Sequence, residues 1–162
     1  MGIRKRNKQA NYLKVGENFE FLGTSFTNAT EKPSPQTTSK RYIGDSASTQ
    51  SIVSYEWSTD FEADQISSDK AVEFIRNIGE MQLTGADSET EYLIVDMDVE
   101  GNTEGTYRAR KLTVAIQVDE FPDNDGEFGV SGSFLGKGDP VLGTFTKETK
   151  AFAEGFTPKT TV

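Results

Sequence analysis

The sequence contains no cysteine and no histidine. Without cysteine the chain can form no disulfide and can offer no thiolate to a metal or a substrate. Without histidine it lacks the usual general base near neutral pH, the commonest metal ligand and the ordinary Ser-His-Asp triad. We therefore expect no enzymatic activity, no catalytic residues, no metal site and no cofactor.

Long hydrophobic runs are also missing. No apolar stretch approaches the 18 residues that a transmembrane helix needs, so we expect no membrane partner. The first ten residues are basic but lead into no apolar signal core, and export by a signal peptide is not expected. The composition favours a protein that is made and used in a cytoplasm, or on a particle assembled there.

Apparent catalytic and ligand motifs fail on spacing. Glu56 and Asp60 could act as a glycosidase pair, but four residues along a strand separate them by about 13 Å, which fits neither glycosidase geometry. The acidic turn at 123–127 resembles a calcium loop, yet Phe121 and Gly132 would occupy ligand positions. A phosphate loop at Gly136-Lys137 would need its first glycine where Ser131 stands. These segments are better explained as an acidic strand face and two turns.

The charge of the chain is divided unevenly. Its 162 residues with 34% hydrophobic content fit one domain with a net charge of −9. Residues 1–16 form a basic N-terminal arm that carries Arg4, Lys5, Arg6 and Lys8, whereas the body is strongly acidic. The arm is either a solvated terminus or a segment that lies on the acidic body of a neighbouring copy. The acidic body disfavours specific binding of nucleic acid.

A change of period marks a strand followed by a helix. Between 53 and 61 large side chains alternate with polar ones: Val53, Tyr55, Trp57, Thr59 and Phe61 share one face of a predicted long strand that starts near residue 50. A helical spacing then appears: Ala71, Phe74, Ile75, Ile78 and Met81. The helix is predicted near Ser68 to Leu83, with a serine as its N-terminal cap.

Five further strands complete the predicted fold. They are expected at 18–23, 91–99, 111–119, 128–134 and 141–145, joined mostly by short glycine- and proline-containing turns. Six strands and one helix predict a mostly β fold, an antiparallel sandwich or partial barrel with the helix packed on one side. This domain spans 17–150, and 151–162 form a C-terminal tail.

A long loop is predicted after the first strand, at 27–49. Its 23 residues contain only two large apolar side chains, Tyr42 and Ile43. Ordering such a segment costs on the order of 20 to 45 kcal/mol of conformational entropy. Two apolar side chains cannot offset that cost, so we expect other subunits to hold the loop.

Several runs of the sequence resemble the tail tube proteins of long-tailed bacteriophages and related prophages. The resemblance covers about residues 12–150 and is carried by Phe19-Glu20-Phe21-Leu22-Gly23-Thr24, Pro33-Ser34-Pro35-Gln36, Ser39-Lys40-Arg41-Tyr42-Ile43, Phe61-Glu62-Ala63-Asp64-Gln65-Ile66, Lys70-Ala71-Val72-Glu73-Phe74-Ile75, Thr90-Glu91-Tyr92, Arg110-Lys111, Asn124-Asp125-Gly126-Glu127 and Gly136-Lys137-Gly138-Asp139. It is a scattered pattern, and it covers contractile and non-contractile tails alike.

The resemblance implies a virion protein of the tail, assembled in the cytoplasm of a bacterial host. Such proteins form stacked hexameric rings whose strands build a continuous barrel, and DNA passes through its lumen without specific binding. The resemblance also implies a tape measure protein and a tail terminator as partners. It implies that the loop at 27–49 reaches an adjacent ring, with Lys40, Arg41, Tyr42 and Ile43 as contacts.

Within this hypothesis the acidic body acquires a role, because a lumen lined by carboxylates repels the phosphates of DNA. Glu56 and Asp60 on the polar face of the long strand are the first candidates, with Glu20 and Glu127 as further ones. The alternative is an outward, solvated face. A hypothesis of a different class is a monomeric β-sandwich binding module, carbohydrate-binding or adhesin-like, that exposes Trp57, Tyr55 or Tyr42.

Overall fold

The computed structural model of the chain describes residues 2–160. Met1, Thr161 and Val162, which belong to the predicted arm and tail, lie outside the described residues. The strands are β1 (Gln9–Val15), β2 (Asn18–Phe21), β3 (Phe26–Lys32), β4 (Pro35–Lys40), β5 (Thr49–Tyr55), β6 (Ser58–Asp64), β7 (Glu89–Glu100), β8 (Thr106–Glu120), β9 (Asp123–Asn124), β10 (Glu127–Thr146) and β11 (Ala151–Glu154). The α-helix, α1, is Lys70–Glu80, and 3-10 turns lie at Arg6–Lys8 and Gly85–Ser88.

One antiparallel sheet forms the body, with the strand order β2-β1-β7-β8-β10-β6-β3. The short strands β9 and β11 both pair with β10, and β4 and β5 form a separate two-stranded sheet. The path of the large sheet ends at β2 and β3, so the sheet is open and not closed into a barrel. The predicted mostly β, antiparallel fold with one helix is confirmed.

Two apolar clusters lie on opposite faces of this sheet. The larger one packs α1 against the sheet through residues such as Leu13, Phe61, Ile75, Tyr92, Val114 and Phe134. The smaller one, on the other face, contains Tyr12, Leu93, Val95, Ala109 and Phe145. β10 contributes side chains to both clusters. Its first half pairs with β6 and its last residues pair with β11, and the register of its pairing with β8 shifts between Lys137 and Val141.

The N-terminal cap of the helix lies one residue later than predicted. Asp69, not a serine, is the N-cap, and its carboxylate accepts from the backbone nitrogens of Ala71 at 3.0 Å and Val72 at 3.3 Å. The other carboxylate oxygen accepts from the hydroxyl of Ser25 at 2.7 Å. A single aspartate therefore caps the helix and ties it to the β2–β3 turn.

Residues 9–15, which were assigned to the basic arm, form an inner strand of the sheet. β1 pairs with β2 on one side and with β7 on the other. Tyr12 and Leu13 face opposite sides, and both are buried, with exposed fractions of 6% and 0%. The sheet carries apolar clusters on both faces here, so β1 shows no polar alternation that would have revealed it.

The segments predicted as a long loop and a long strand together form one two-stranded ribbon. Lys32 lies opposite Ser58 in the β3–β6 ladder, and Pro35 lies opposite Tyr55 in the β4–β5 ladder, so the register continues unbroken. Between the ladders the nitrogen of Glu56 donates to the carbonyl of Ser34 at 2.9 Å. The loop at 27–49 is therefore mostly strand, and the predicted single strand is divided at residues 56 and 57.

Candidate assembly surfaces

The sheet formed by β8, β10, β6 and β3 presents a polar face on the side opposite α1. Phe61 and Ala63 of β6 are buried with the helix, so the alternate residues point the other way. Paired residues align in three rows across the four strands on that side: Lys32, Ser58, Leu135 and Ala115; Thr30, Asp60, Ser133 and Gln117; Asn28, Glu62, Ser131 and Glu120. We call this surface the polar face.

Carboxylates predominate on the polar face. Asp60, Glu62, Asp64 and Glu120 lie on it with two ammonium groups, those of Lys32 and, two residues beyond Leu135 on β10, of Lys137. Lys32 forms an ion pair with Asp60, whose other oxygen accepts from the hydroxyl of Ser133 at 2.7 Å. Both hydrogen bonds, that of Lys32 first, lower the pKa of Asp60 below its ordinary value. Asp60 therefore stays charged to a lower pH than an ordinary aspartate.

The acidic candidates from the sequence do not all lie on this face. Asp60 does, but Glu56 is exposed at the junction between the ribbon and the body. Glu20 lies on β2, whereas Glu127 begins β10 with the same alternation as Gly129 and Ser131 and so shares the side of the polar face. Glu62 and Asp64 were missed, although the alternation from Ser58 through Asp60 continues to both. Following that period for four more residues would have found both.

The β4–β5 part of the ribbon stands away from the body. Every residue of β5 and nearly every residue of β4 is exposed, and among them are Ile52, Val53 and Tyr55 with exposed fractions of 56%, 62% and 60%. The register shifts between Gln36 and Thr37, and Val53 becomes an extra residue of β5 with no residue opposite it on β4. Because of this bulge Ile52 and Tyr55, three residues apart, share one face of the ribbon. The alternation with Trp57 and Phe61 predicts that Val53 and Tyr55 pack inside the subunit with the helix, and for these two side chains that prediction is wrong.

The tip of the ribbon carries the predicted inter-ring contacts. Lys40 ends β4, and its ammonium group lies 5.2 Å from the centre of the Tyr42 ring. The backbone nitrogen of Asp45 donates to the carbonyl of Tyr42 at 3.0 Å, and Arg41 Nε donates to the carbonyl of Asp45 at 3.2 Å. Ile43 is fully exposed. The tip is thus locally ordered and presents its apolar side chains to the outside.

Two of the four predicted arm contacts bind the chain's own body. Arg4 donates to Asp96 at 2.7 Å and to both oxygens of Asp98 at 2.9 Å. Arg6 donates to the carbonyl of Gln9 and to the side chain of Asn11. Lys5 and Lys8 are exposed. Contact of this segment with a neighbouring copy stays a prediction, with Lys5 and Lys8 as the side chains best placed for it.

Other kinds of site find little support within residues 2–160. No cluster of three acidic residues there could hold a metal ion. No helix in the described part of the chain is both long and apolar enough to cross a membrane. Trp57, a candidate for ligand stacking, is partly buried, and its indole nitrogen donates to Glu31 at 2.7 Å. Tyr55 and Tyr42 are exposed on the ribbon rather than grouped on the body.

Comparisons with known proteins give a match in structure and none in sequence. No family model matches the chain, and no curated protein matches its sequence. Among solved structures, a chain described as "Tail of empty GTA particle computed with helical refinement, C6 symmetry" superimposes with a TM-score of 0.59. The alignment covers 86% of this chain and 98% of that chain at 10% sequence identity. At this identity the match shows a shared fold.

Proposed function

We propose that this chain is a structural tail tube protein that assembles into stacked hexameric rings around a channel for DNA. The observation that carries the proposal is the shared fold with a chain from the C6-symmetric tail of a GTA particle. The acidic polar face and the projecting ribbon support it, because a tube needs both a lining and contacts along its axis. The role proposed is structural and not catalytic.

The polar face is the proposed lining of the channel. A wall of carboxylates repels DNA phosphates, so a duplex can slide without adhering to sites that must each be broken. Four strands per subunit and six subunits give 24 strands. At about 4.8 Å between strands and a tilt of about 40°, these close into a barrel roughly 48 Å across. Side chains reduce that width, and a duplex about 20 Å wide still passes.

The ribbon is the proposed contact between rings. From Pro35 to Ile43 it reaches roughly 25 to 30 Å at about 3.3 Å per residue. An isolated two-stranded hairpin is marginally stable in water, so a ribbon with exposed Ile52, Val53 and Tyr55 gains most when a neighbour covers it. Lys40, Arg41, Tyr42 and Ile43 would meet the next ring. At the two ends of the tube the tape measure protein and the tail terminator are the proposed partners.

Electron microscopy of the purified protein at high concentration tests the assembly. We expect hollow tubes or six-fold rings, whereas a uniform species of about 18 kDa at every concentration would overturn the proposal and favour the monomeric binding module.

The lining of the channel is tested separately with a double variant, Glu62→Lys with Asp64→Lys. Both side chains are exposed, and neither forms an ion pair among the described residues. Tubes of this variant should retain added DNA at low salt. The matched control is Glu17→Lys with Asp87→Lys, which lies away from the polar face.

A further inference from the structure

The β4–β5 part of the ribbon joins the body through four residues. Pro33 and Ser34 connect β3 to β4, and Glu56 and Trp57 connect β5 to β6. Beyond this junction β4 and β5 pair with each other, and every residue of β5 is exposed. The direction in which the ribbon leaves the body is therefore set by what holds the junction.

Trp57 is attached to the body at three points. Its carbonyl oxygen accepts from the backbone nitrogen of Gly136 on β10 at 2.9 Å, and its indole nitrogen donates to Glu31 on β3 at 2.7 Å. Its side chain packs against the larger apolar cluster, where its ring centre lies 6.0 Å from that of Tyr92 on β7. Because the three contacts reach three different strands, they fix both the position of this residue and the orientation of its ring.

The surroundings of Trp57 leave little room for another placement of its ring. A Cβ atom on Gly136 would lie 3.0 Å from Cε3 of the indole and 3.1 Å from the carbonyl oxygen of Trp57, so a side chain at this position would displace the tryptophan. Glu31 is itself held by two hydrogen bonds from Arg110. An acceptor that is fixed by its own partners restricts the indole more than a freely rotating carboxylate would.

The second connection of the junction is stiff. Ser34 lies between two prolines, whose rings fix their own φ angles, and has a φ of +49°, in the left-handed region. Next to it, Lys32 and Asp60 form an exposed ion pair, and such pairs contribute little. Trp57 is therefore the residue of the junction that ties the ribbon to the rest of the sheet.

We infer that Trp57 is a positioning residue, which fixes the direction of the ribbon before any neighbour binds it. The use of this direction in stacking rests on the proposed function. A ribbon that already points toward the next ring loses less conformational freedom on contact than a ribbon that swings freely. Trp57 would thus strengthen the contact between rings although it lies at the base of the ribbon and not at its tip.

Pulsed electron paramagnetic resonance on single chains tests this role, and the natural absence of cysteine leaves only the introduced sites to label. Ser51→Cys on the ribbon and Thr113→Cys on β8, both at exposed positions, carry the two nitroxide labels. The concentration is kept where light scattering shows single chains. We expect one narrow distance in the otherwise wild-type chain. Trp57→Ala should replace it with a broad distribution, and Trp57→Phe, which cannot donate to Glu31, should broaden it as well.

Two controls separate positioning from stability. Tyr55→Ala removes the neighbouring aromatic side chain of the ribbon, which is 60% exposed, and should leave the distance narrow. Asp69→Ala removes the cap of α1 and weakens the fold away from the junction, so the distance should again stay narrow. Circular dichroism shows which variants fold. A broad distribution in the wild-type chain, or a narrow one in every folded Trp57 variant, would overturn the positioning role.

Electron microscopy of the unlabelled proteins at high concentration separates this role from the proposed function. Trp57→Phe should form rings but few tubes, whereas Asp69→Ala should form both. Tubes of normal length from a Trp57 variant with a broad distance would overturn the link between ribbon direction and stacking. A wild-type chain that forms neither rings nor tubes would overturn the proposed function, while the positioning role is decided by the distances in single chains.

Discussion

The guanidinium of Arg110 donates to both carboxylate oxygens of Glu31, with Nη1 2.9 Å from Oε2 and Nη2 3.1 Å from Oε1. Arg110 lies on β8 and Glu31 on β3, and two strands separate them in the sheet. The contact is possible only because the sheet curls until its edge strand approaches its middle. Trp57 donates to the same carboxylate, so this cluster helps to fix the curvature of the sheet.

Replacing Glu31 should therefore weaken the fold. In Glu31→Gln the amide can still accept from Trp57, but Arg110 loses its charged partner while its side chain stays about three-quarters buried. We expect the free energy of unfolding, measured with chemical denaturant, to fall by about 1–3 kcal/mol. The control is Glu100→Gln, which removes an exposed ion pair with Lys159 and should cost about 0–1 kcal/mol. Equal losses in the two variants would contradict this role for Glu31.

The helix and the fold class could be predicted from the sequence because their signals are local. The spacing of Ala71, Ile75 and Ile78 depends only on which side of one helix is buried, and all three are buried in the structure. The period-2 pattern of Leu112, Val114 and Ile116 on β8 is equally local. Both elements present one apolar face and one polar face, which is the condition under which periodicity predicts structure.

The remaining elements have no such signal. Tyr92 to Asp96 of β7 are all buried, since the two clusters cover both faces of this strand. Val53 and Tyr55 show the opposite case: they alternate as a half-buried strand does, but no part of the described chain covers them. Period alone does not tell whether the apolar side of a strand meets its own core or another subunit. The acidic candidates show the same limit: Asp60 and Glu127 lie on the side of the polar face, whereas Glu20 pairs with the buried Leu13 and Glu56 lies at the junction with the ribbon.

Asp69 gives a direct test of the observed cap against the predicted one. Asp69→Ala removes the acceptor for two backbone N–H groups in the first turn of α1, those of Ala71 and Val72. It also removes the hydrogen bond from Ser25. We expect the free energy of unfolding to fall by about 1–2 kcal/mol. Ser68→Ala is the matched control: it should change the free energy by no more than about 0.5 kcal/mol, because Ser68 is exposed and makes no capping bond. A similar loss of unfolding free energy in both variants would contradict Asp69 as the cap and would support the predicted serine.

The N-terminal segment can be followed through the titration of Asp98. The hydrogen bond from Arg4 holds the pKa of Asp98 below its ordinary value of 3.8. A pKa lowered by folding means that the contact stabilises the fold above the ordinary pKa and stops doing so as the pH falls through the folded value. In Arg4→Gln the carboxyl carbon of Asp98, followed by NMR, should titrate closer to 3.8.

Lys8→Gln is the control for this titration. Lys8 lowers the pKa of Asp98 only through its charge, and that effect is the smallest of those acting on the carboxylate. Its removal should shift the titration far less than the removal of Arg4. Stability curves of the wild type and Arg4→Gln should differ at neutral pH and converge in strong acid. An unchanged pKa of Asp98 in Arg4→Gln would show that the segment does not occupy this position in solution.

The tip of the ribbon should matter for assembly and not for the fold of the subunit. In Tyr42→Ser with Ile43→Ser, two exposed apolar side chains are lost from a segment that contributes nothing to either core cluster. We therefore expect a free energy of unfolding within about 0.5 kcal/mol of the wild type. Tubes should become scarce or short in electron micrographs, because the proposed contact between rings would lose its apolar side chains. Met81→Ser removes an exposed apolar side chain at the end of α1 and should leave tube length unchanged. Tubes of normal length in the double variant would mean that other residues join the rings, and the exposed pair Ile52 and Val53 on β5 would be the next to replace.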